Sequence, residues 1–327
     1  MGKRILLIKP SSLGDIIHAL PTAAALKRRY PDAHLAWLVK KEWAEILYGN
    51  PDLDEVLAFP FAWFSAPGMV RALRSRSFDW VVDLQGLLRS GILGWMTSAR
   101  RRVGFSTGRE GSPLFYTERI PAPDPFMHAV DRYLLIARAL DASVEKPIFR
   151  IPACPDDAQW ADASIGRAGE GDSPRIVLNS SARRADKRWP VERFADVGRR
   201  LAERFDARLV VIGGPEDLDR AGRLSQTLPP ETINLAGRTS LGRLAAVLRR
   251  ADFLVTNDSG PMHLAAAVQT PVVAIFGPTD PRKVGPYGSE HRVLEGGGDV
   301  RDVTVDQVDA AASWLWAKVR VDHRSVK

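Results

Sequence analysis

Strand-length apolar runs alternate with segments of helical period along this chain, and the alternation occurs twice. "RILLIKP", "AHLAWLV" and "FDWVVDLQG" read as buried strands. "DIIHALPTAAALKRRYP" and "KKEWAEILYG", which lie between them, carry helical spacing. Such a βαβα order predicts a parallel sheet covered by helices on both faces. Near residue 150 the pattern lapses into "RIPACPDDAQWADASIGRAGEGDSP" and then restarts. "RIVLNSS", "ARLVVIGG", "TINLAG", "DFLVTND" and "PVVAIFG" are the strands of the second half, and "PVERFADVGRRLAERF" and "SLGRLAAVLRRA" are among its helices. A last helix, "VTVDQVDAAASWLWAKVRV", is capped by Thr304 or Asp306. Its Trp314 and Trp316 cannot both face one side, so one is free to pack on the other domain while core packing accounts for either.

With 327 residues the chain has material for two cores. The expected domains are 1–155 and 174–327, joined by a linker at about 156–173 with room for one helix. Two such α/β halves present a cleft between the carboxyl ends of two sheets, where ligands of doubly wound folds bind. No G-x-G-x-x-G follows a strand and no G-x-x-x-x-G-K-[ST] occurs, which argues against an ordinary NAD enzyme or a P-loop NTPase. "GGGD" at 296–299 has the wrong spacing and reads as a loop. No apolar run reaches bilayer length, and the N-terminal run is too short for a signal peptide, so a cytoplasmic location is expected. One cysteine, Cys154, excludes an internal disulfide and a cysteine metal cluster, and the six histidines show no metal-ligand spacing. A net charge of +7 favours acidic partners, yet no nucleic-acid motif accompanies "KRR" at 27–29 or "RRR" at 100–102.

Four stretches could carry chemistry. In "SSLGD", Asp15 falls near a helix start, where it serves equally well as an N-cap or as a carboxylate that takes a proton from a hydroxyl. In "TNDSGPMHLAAA" a strand gives way to a helix, with Pro261 suited to the first helical position. The free N–H groups there form an anion site, to which Ser259 adds a hydroxyl and which His263 can reach; Asp258 could hold sugar hydroxyls. "NSSARRADKRWP" brings Arg183, Arg184, Lys187 and Arg188 to a strand's carboxyl end, which suits a diphosphate as well as it suits solvent. In "IGGPED" the glycines allow close approach, and Glu216 could accept from a ribose diol or simply begin a helix.

Taken together and in this order, these stretches resemble glycosyltransferase family 9, the ADP-heptose:lipopolysaccharide heptosyltransferases. "IKPSSLGDIIHALP", "KRWP" and "DSGPMHLAAA…TPVVAIFGPTDP" carry the resemblance. "AWFSAP", "DLQGLLRSG", "REGSPLFY" and "HAVDR" bring it closest to the heptosyltransferase I branch. The resemblance implies an α/β GT-B fold, with an acceptor-binding first domain, an ADP-sugar-binding second domain and no metal or other cofactor. The implied reaction is inverting transfer of L-glycero-D-manno-heptose from ADP-heptose to Kdo of the lipid A inner core. Asp15 would be the general base, bordered by Ser12 and Gly14. The donor would be held by Ser12, Gly14, Lys187, Glu216, Thr239, Asp258, Ser259, Gly260 and His263. Arg109 and Arg132 would face the acceptor. A lipid-linked acceptor implies peripheral contact with the cytoplasmic face of the inner membrane, for which Trp63 and Phe64 are candidates. Before "AWFSAP", where close relatives carry a dense basic stretch, this chain reads "VLAFPF", and only Arg71, Arg74 and Arg76 follow. A differently phosphorylated acceptor is consistent with that loss. The 180–183 loop also departs from close relatives, which often carry threonines there. A related family 9 transferase with a different ADP-sugar or acceptor, a nucleotide-sugar epimerase of similar architecture and a non-catalytic nucleotide-sugar binder are the competing readings.

Overall fold

In the computed structural model, which describes residues 2–60, 66–122, 124–166, 173–288 and 290–325, the chain divides into two compact units, Met1–Pro152 and Ala153–Lys327. Trp63 and Phe64 lie outside the described residues. The first unit runs β1 (Arg4–Ile8), α1 (Leu13–Arg29), β2 (His34–Lys40), β3 (Glu55–Phe59), α2 (Ala66–Arg74), β4 (Trp80–Asp83), α3 (Leu88–Met96), β5 (Arg101–Phe105), β6 (Glu118–Ile120) and α4 (Ala129–Ala139). The second runs α5 (Pro155–Ile165), β7 (Arg175–Asn179), α6 (Val191–Phe205), β8 (Arg208–Val211), α7 (Leu218–Gln226), β9 (Ile233–Asn234), α8 (Leu241–Arg250), β10 (Phe253–Asn257), α9 (Gly260–Ala267), β11 (Val272–Phe276), α10 (Pro281–Val284), β12 (Arg292–Glu295) and α11 (Val305–Ser325).

Each unit holds one six-stranded sheet, ordered β3-β2-β1-β4-β5-β6 and β12-β11-β10-β7-β8-β9. Every strand pairing in both sheets is parallel. Both orders are the doubly wound one, so each sheet has a switch point where the winding reverses: between β1 and β4, and between β7 and β10. This is the two-Rossmann, GT-B-like α/β class expected from the sequence. The central strands are apolar because helices cover both their faces; Ile5 to Ile8 and Phe253 to Val255 are fully buried.

Local departures from the sequence reading have simple causes. The segment read as the helix "KKEWAEILYG" is a 3-10 turn, Lys41–Leu47. The edge or near-edge strands β3, β5, β6 and β12 are short and carry charged residues, so no apolar run announced them. Arg101 and Arg102 of the basic cluster belong to β5, and Arg101 forks Glu118 on neighbouring β6. The helix in the linker, α5, is part of the second unit. Arg250 of α8 donates to the Ala158 carbonyl at 2.7 Å and pairs with Asp162. Thr304 caps α11: Gln307 N–H donates to its hydroxyl at 3.2 Å, and Gln307 Oε1 accepts from Thr304 N–H at 2.8 Å. Trp316 is buried in the second unit's own core, whereas Trp314 is exposed beneath the Arg292 guanidinium. Among the described residues no helix is long and apolar enough to cross a membrane.

Candidate active site

A parallel sheet sends every strand's carboxyl end to one edge, and the functional candidates of each unit line that edge. In the first unit the loop from β1 to α1 holds Lys9 to Ser12. Ser12 is the N-cap of α1, and Asp15 is at the third helical position, not at the cap itself. The Ser12 N–H and hydroxyl donate to Asp15 Oδ2 at 3.1 and 2.8 Å. One carboxylate oxygen is therefore held by the turn that begins the helix, with Gly14 in that same turn. The other, Oδ1, lies 3.6 Å from Lys9 Nζ and 3.5 Å from the Tyr133 hydroxyl of α4. The carboxylate is roughly half exposed while Lys9 is 3% exposed. The capping and catalytic readings of Asp15 thus use different oxygens and are compatible.

Lys9 was not singled out from sequence. Its ammonium donates to the Leu84 carbonyl just past β4 at 3.2 Å and lies over the Tyr133 ring at 5.1 Å. Burial alone would strip its proton more easily; Tyr133, Asp15 and Asp83 outweigh that and hold the pKa above the ordinary lysine value. Arg132 lies over the same Tyr133 ring at 5.6 Å and over Phe105 at 5.3 Å, so it belongs to this cluster. Arg109 stands on the exposed loop after β5, its N–H bonded to the Gly86 carbonyl at 2.8 Å.

Beneath the cluster, Asp83 at the end of β4 is buried. It accepts from Tyr116 hydroxyl at 2.8 Å and from the N–H groups of Gln85 and Gly86 at 2.9 and 3.1 Å. Burial pushes its carboxyl above the usual carboxylate value, and burial beside Asp83 pushes the Tyr116 phenol up as well. The native state therefore binds the Asp83 proton more tightly than the unfolded chain does. Its contribution to stability is complete below the ordinary carboxylate pKa and is lost as pH rises through the native one. Asp83→Asn keeps an acceptor for the two N–H groups and cannot ionise. Its stability relative to wild type should climb from acid towards neutral pH. Thermal unfolding of both proteins from about pH 3 to 7 checks this, and a difference flat with pH would sink it.

In the second unit, β7 and β10 end in asparagines. Asn179 Nδ2 donates to Thr256 Oγ1 at 2.9 Å and to Ser259 Oγ at 3.0 Å, which fixes the start of α9. Gly260 is the first helical residue and Pro261 the second, one place later than expected; His263 follows, buried, in the first turn. Asn257 Oδ1 accepts from Trp189 N–H at 3.0 Å, and Asn257 Nδ2 donates to the Ser180 carbonyl at 2.7 Å. Arg220 of α7 donates to the carbonyls of Ser180 and Trp189 at 2.8 and 2.5 Å. The basic 180–189 loop is thereby anchored through its backbone, which tolerates its unusual side chains. On it, Lys187 Nζ pairs with Asp258 Oδ2 at 2.6 Å, both largely buried. Arg184 pairs instead with Asp186 in solvent. Glu216 is exposed on a 3-10 turn after β8, and Thr239 precedes the Ser240 cap of α8; both stand on the same sheet edge as Lys187 and Asp258. The unit thus gathers a helix N-terminus, a hydroxyl, a buried ammonium and several backbone N–H groups, the equipment of an anion site.

Residues 68–303 match glycosyltransferase family 9 (heptosyltransferase). The chain belongs to that family. A lipopolysaccharide heptosyltransferase 1 of Pseudomonas aeruginosa is 32% identical over 87% of this chain and 81% of its own length. The glycosyltransferase family 9 structure from Veillonella parvula superposes with a TM-score of 0.86 at 26% identity, covering 97% of each chain. The Escherichia coli heptosyltransferase WaaC with ADP superposes with a TM-score of 0.79 at 28% identity, covering 95% of this chain and 99% of its own. This family 9 chain is accordingly a glycosyltransferase. Sequence reasoning missed Lys9, Tyr133, Asn179, Asn257 and Arg220 within it. A polar residue at the carboxyl end of a largely apolar strand was the available signal for Lys9 and the two asparagines; Tyr133 and Arg220, inside amphipathic helices, gave none.

Proposed function

We propose that this family 9 enzyme transfers L-glycero-D-manno-heptose from ADP-heptose to a Kdo sugar of the lipid A inner core, with inversion and without a metal, at the cytoplasmic face of the inner membrane. The observation that carries the reading is the half-exposed Asp15 carboxylate. One oxygen is pinned by Ser12 and the other lies beside a buried ammonium, the geometry of an oriented base. The acceptor hydroxyl gives its proton to Asp15 Oδ1 as its oxygen attacks the anomeric carbon. The bond from that carbon to the diphosphate breaks, and ADP leaves with the electron pair. Lys187 and the α9 N-terminus take up the charge on the departing diphosphate. Glu216 and Thr239 serve the nucleoside, Asp258 and His263 the donor's sugar and phosphates, and Arg109 and Arg132 the anionic acceptor. Relatives named for ADP and ADP-2-deoxy-2-fluoro heptose complexes support the donor. Relatives named as heptosyltransferases 1, 2 and 3 support the pathway.

One observation bears on the acceptor. Arg76, which follows the missing basic stretch, forks Glu55 at 2.5 to 3.0 Å, and Arg74 Nε donates to the Met96 carbonyl at 2.8 Å. Arg76 is thus engaged within the fold while Arg71 and Arg74 stay exposed, and with the basic stretch absent the acceptor is read as weaker or differently phosphorylated. Mass spectrometry of products from ADP-heptose and Kdo-lipids of graded phosphorylation tests the reading. The expected result is an acceptor heavier by one heptose, with ADP released only when acceptor is present and with turnover intact in EDTA. Conversion of donor alone would instead indicate an epimerase, and absence of any product a binding protein.

A further inference from the structure

Three of the large apolar side chains left exposed among the described residues lie on α3 and on the short turn that packs against it in the first unit. Leu88 and Trp95 on α3 are 40% and 55% exposed, and Leu114 on the Ser112–Phe115 turn is 77% exposed. Leu88 and Trp95 are two helical turns apart and share a face, with half-buried Ile92 and Met96 beside them. The inward face of α3 is already packed. Ser90, Gly91, Leu93 and Gly94 are buried, and a Cβ on Gly91 would meet the Phe115 ring and the Ser112 carbonyl at 3.1 Å. Packing within the unit therefore does not account for the apolar outward face. Its surroundings are basic. Arg89 is exposed beside Leu88 on α3, and Arg119 Nε donates to the Pro113 carbonyl at 2.9 Å, next to Leu114. Arg100 and Arg109 are exposed nearby in sequence, and Glu110, which accepts from Leu88 N–H at 3.3 Å, is the acid on the ridge.

An aromatic and aliphatic ridge edged with arginine fits an anionic bilayer, where apolar side chains enter the acyl boundary and guanidiniums meet phosphates. A second copy of this chain fits it poorly, because a twofold contact would set the same cations against each other. We propose that the Leu88–Trp95–Leu114 ridge, with Arg89 and Arg119, docks the protein on an anionic lipid surface. The proposal rests on the lipid-linked acceptor for its purpose, while its test needs neither substrate.

Flotation with phosphatidylcholine vesicles, with and without phosphatidylglycerol, tests it. Wild type should float with the anionic vesicles and be released by salt. Trp95→Ser/Leu114→Ser should lower the partition coefficient about tenfold or more. Arg89→Gln/Arg119→Gln should lower it severalfold and weaken the salt dependence. Both double variants should keep the wild-type thermal midpoint and turnover on a water-soluble Kdo acceptor. If the serine variant fails to fold, the glutamine variant carries the test. Wild-type flotation by folded variants would overturn the assignment of this ridge, and failure of wild type to bind anionic vesicles would overturn membrane docking altogether. A wild-type dimer that becomes monomeric in the serine variant would make the ridge a self-interface and equally overturn the proposal. The transferase reading is judged separately, by turnover on the soluble acceptor.

Discussion

Asp15→Asn should fold, bind ADP-heptose as wild type does, and lose transfer by about 10²- to 10⁴-fold, the usual contribution of a positioned base. Folding should survive because the amide oxygen can still accept from the Ser12 N–H and hydroxyl, which now meet Oδ2 at 3.1 and 2.8 Å. The loss of a capping charge costs about 1 kcal/mol or less. Donor affinity should hold because the donor's anion site is assigned to the other unit. Single-turnover rates and ADP-heptose binding, measured on the same preparation, separate the two effects; turnover within a few fold of wild type would remove Asp15 from the chemistry. Lys9 supplies an independent check. Its buried ammonium lies 3.6 Å from Asp15 Oδ1, and a cation so placed favours the ionised base. Lys9→Met should therefore move the acid limb of the kcat/KM profile upward by about one pH unit or more. An unmoved limb would leave Lys9 with packing alone.

Lys187→Ala should lower kcat by about 10²- to 10³-fold, the scale seen when one preorganised donor to developing negative charge is removed. It should also destabilise the second unit, because Lys187 neutralises the buried Asp258 carboxylate at 2.6 Å. Removing one partner of a buried pair costs about 3 to 5 kcal/mol. The two effects separate when the double variant Lys187→Ala/Asp258→Asn is compared with Asp258→Asn alone. Stability should return, since no uncompensated charge remains, and the rate should not. Recovery of both would mean that Lys187 serves the fold and not the leaving diphosphate. Lys187→Arg should restore charge but little rate, because a planar fork does not reproduce a compact ammonium at the same point.

Much of this architecture is legible in the chain. Apolar runs such as "RILLI" and "VVAIF" are of strand length and read as strands buried on both faces, and the helices between them favour parallel pairing. The turns that carry function are also legible, since "SSLGD" and "NDSGP" join a strand's carboxyl end to a helix start. The short charged strands were hidden because β5 and β6 are stabilised by a cross-strand pair, Arg101 with Glu118, which has no periodic signature. Asp15 shows the same limit within a motif. Its place near a helix start could be read directly, but the division of labour between its two oxygens could not.

By itself the sequence determined two doubly wound parallel units, the loops that bear the candidate residues, and the family. Only the tertiary structure decided which of those residues meet. Asp15 lies 118 positions from Tyr133, Asn179 lies 80 from Ser259, and Lys187 lies 71 from Asp258. The two contacts of the second unit form because crossovers return distant strands to one sheet edge at the switch point, and the Asp15–Tyr133 contact forms because α4 packs on α1. Hydrophobic pattern sets which face of a strand is buried, but it carries no information about which polar strand ends will become neighbours.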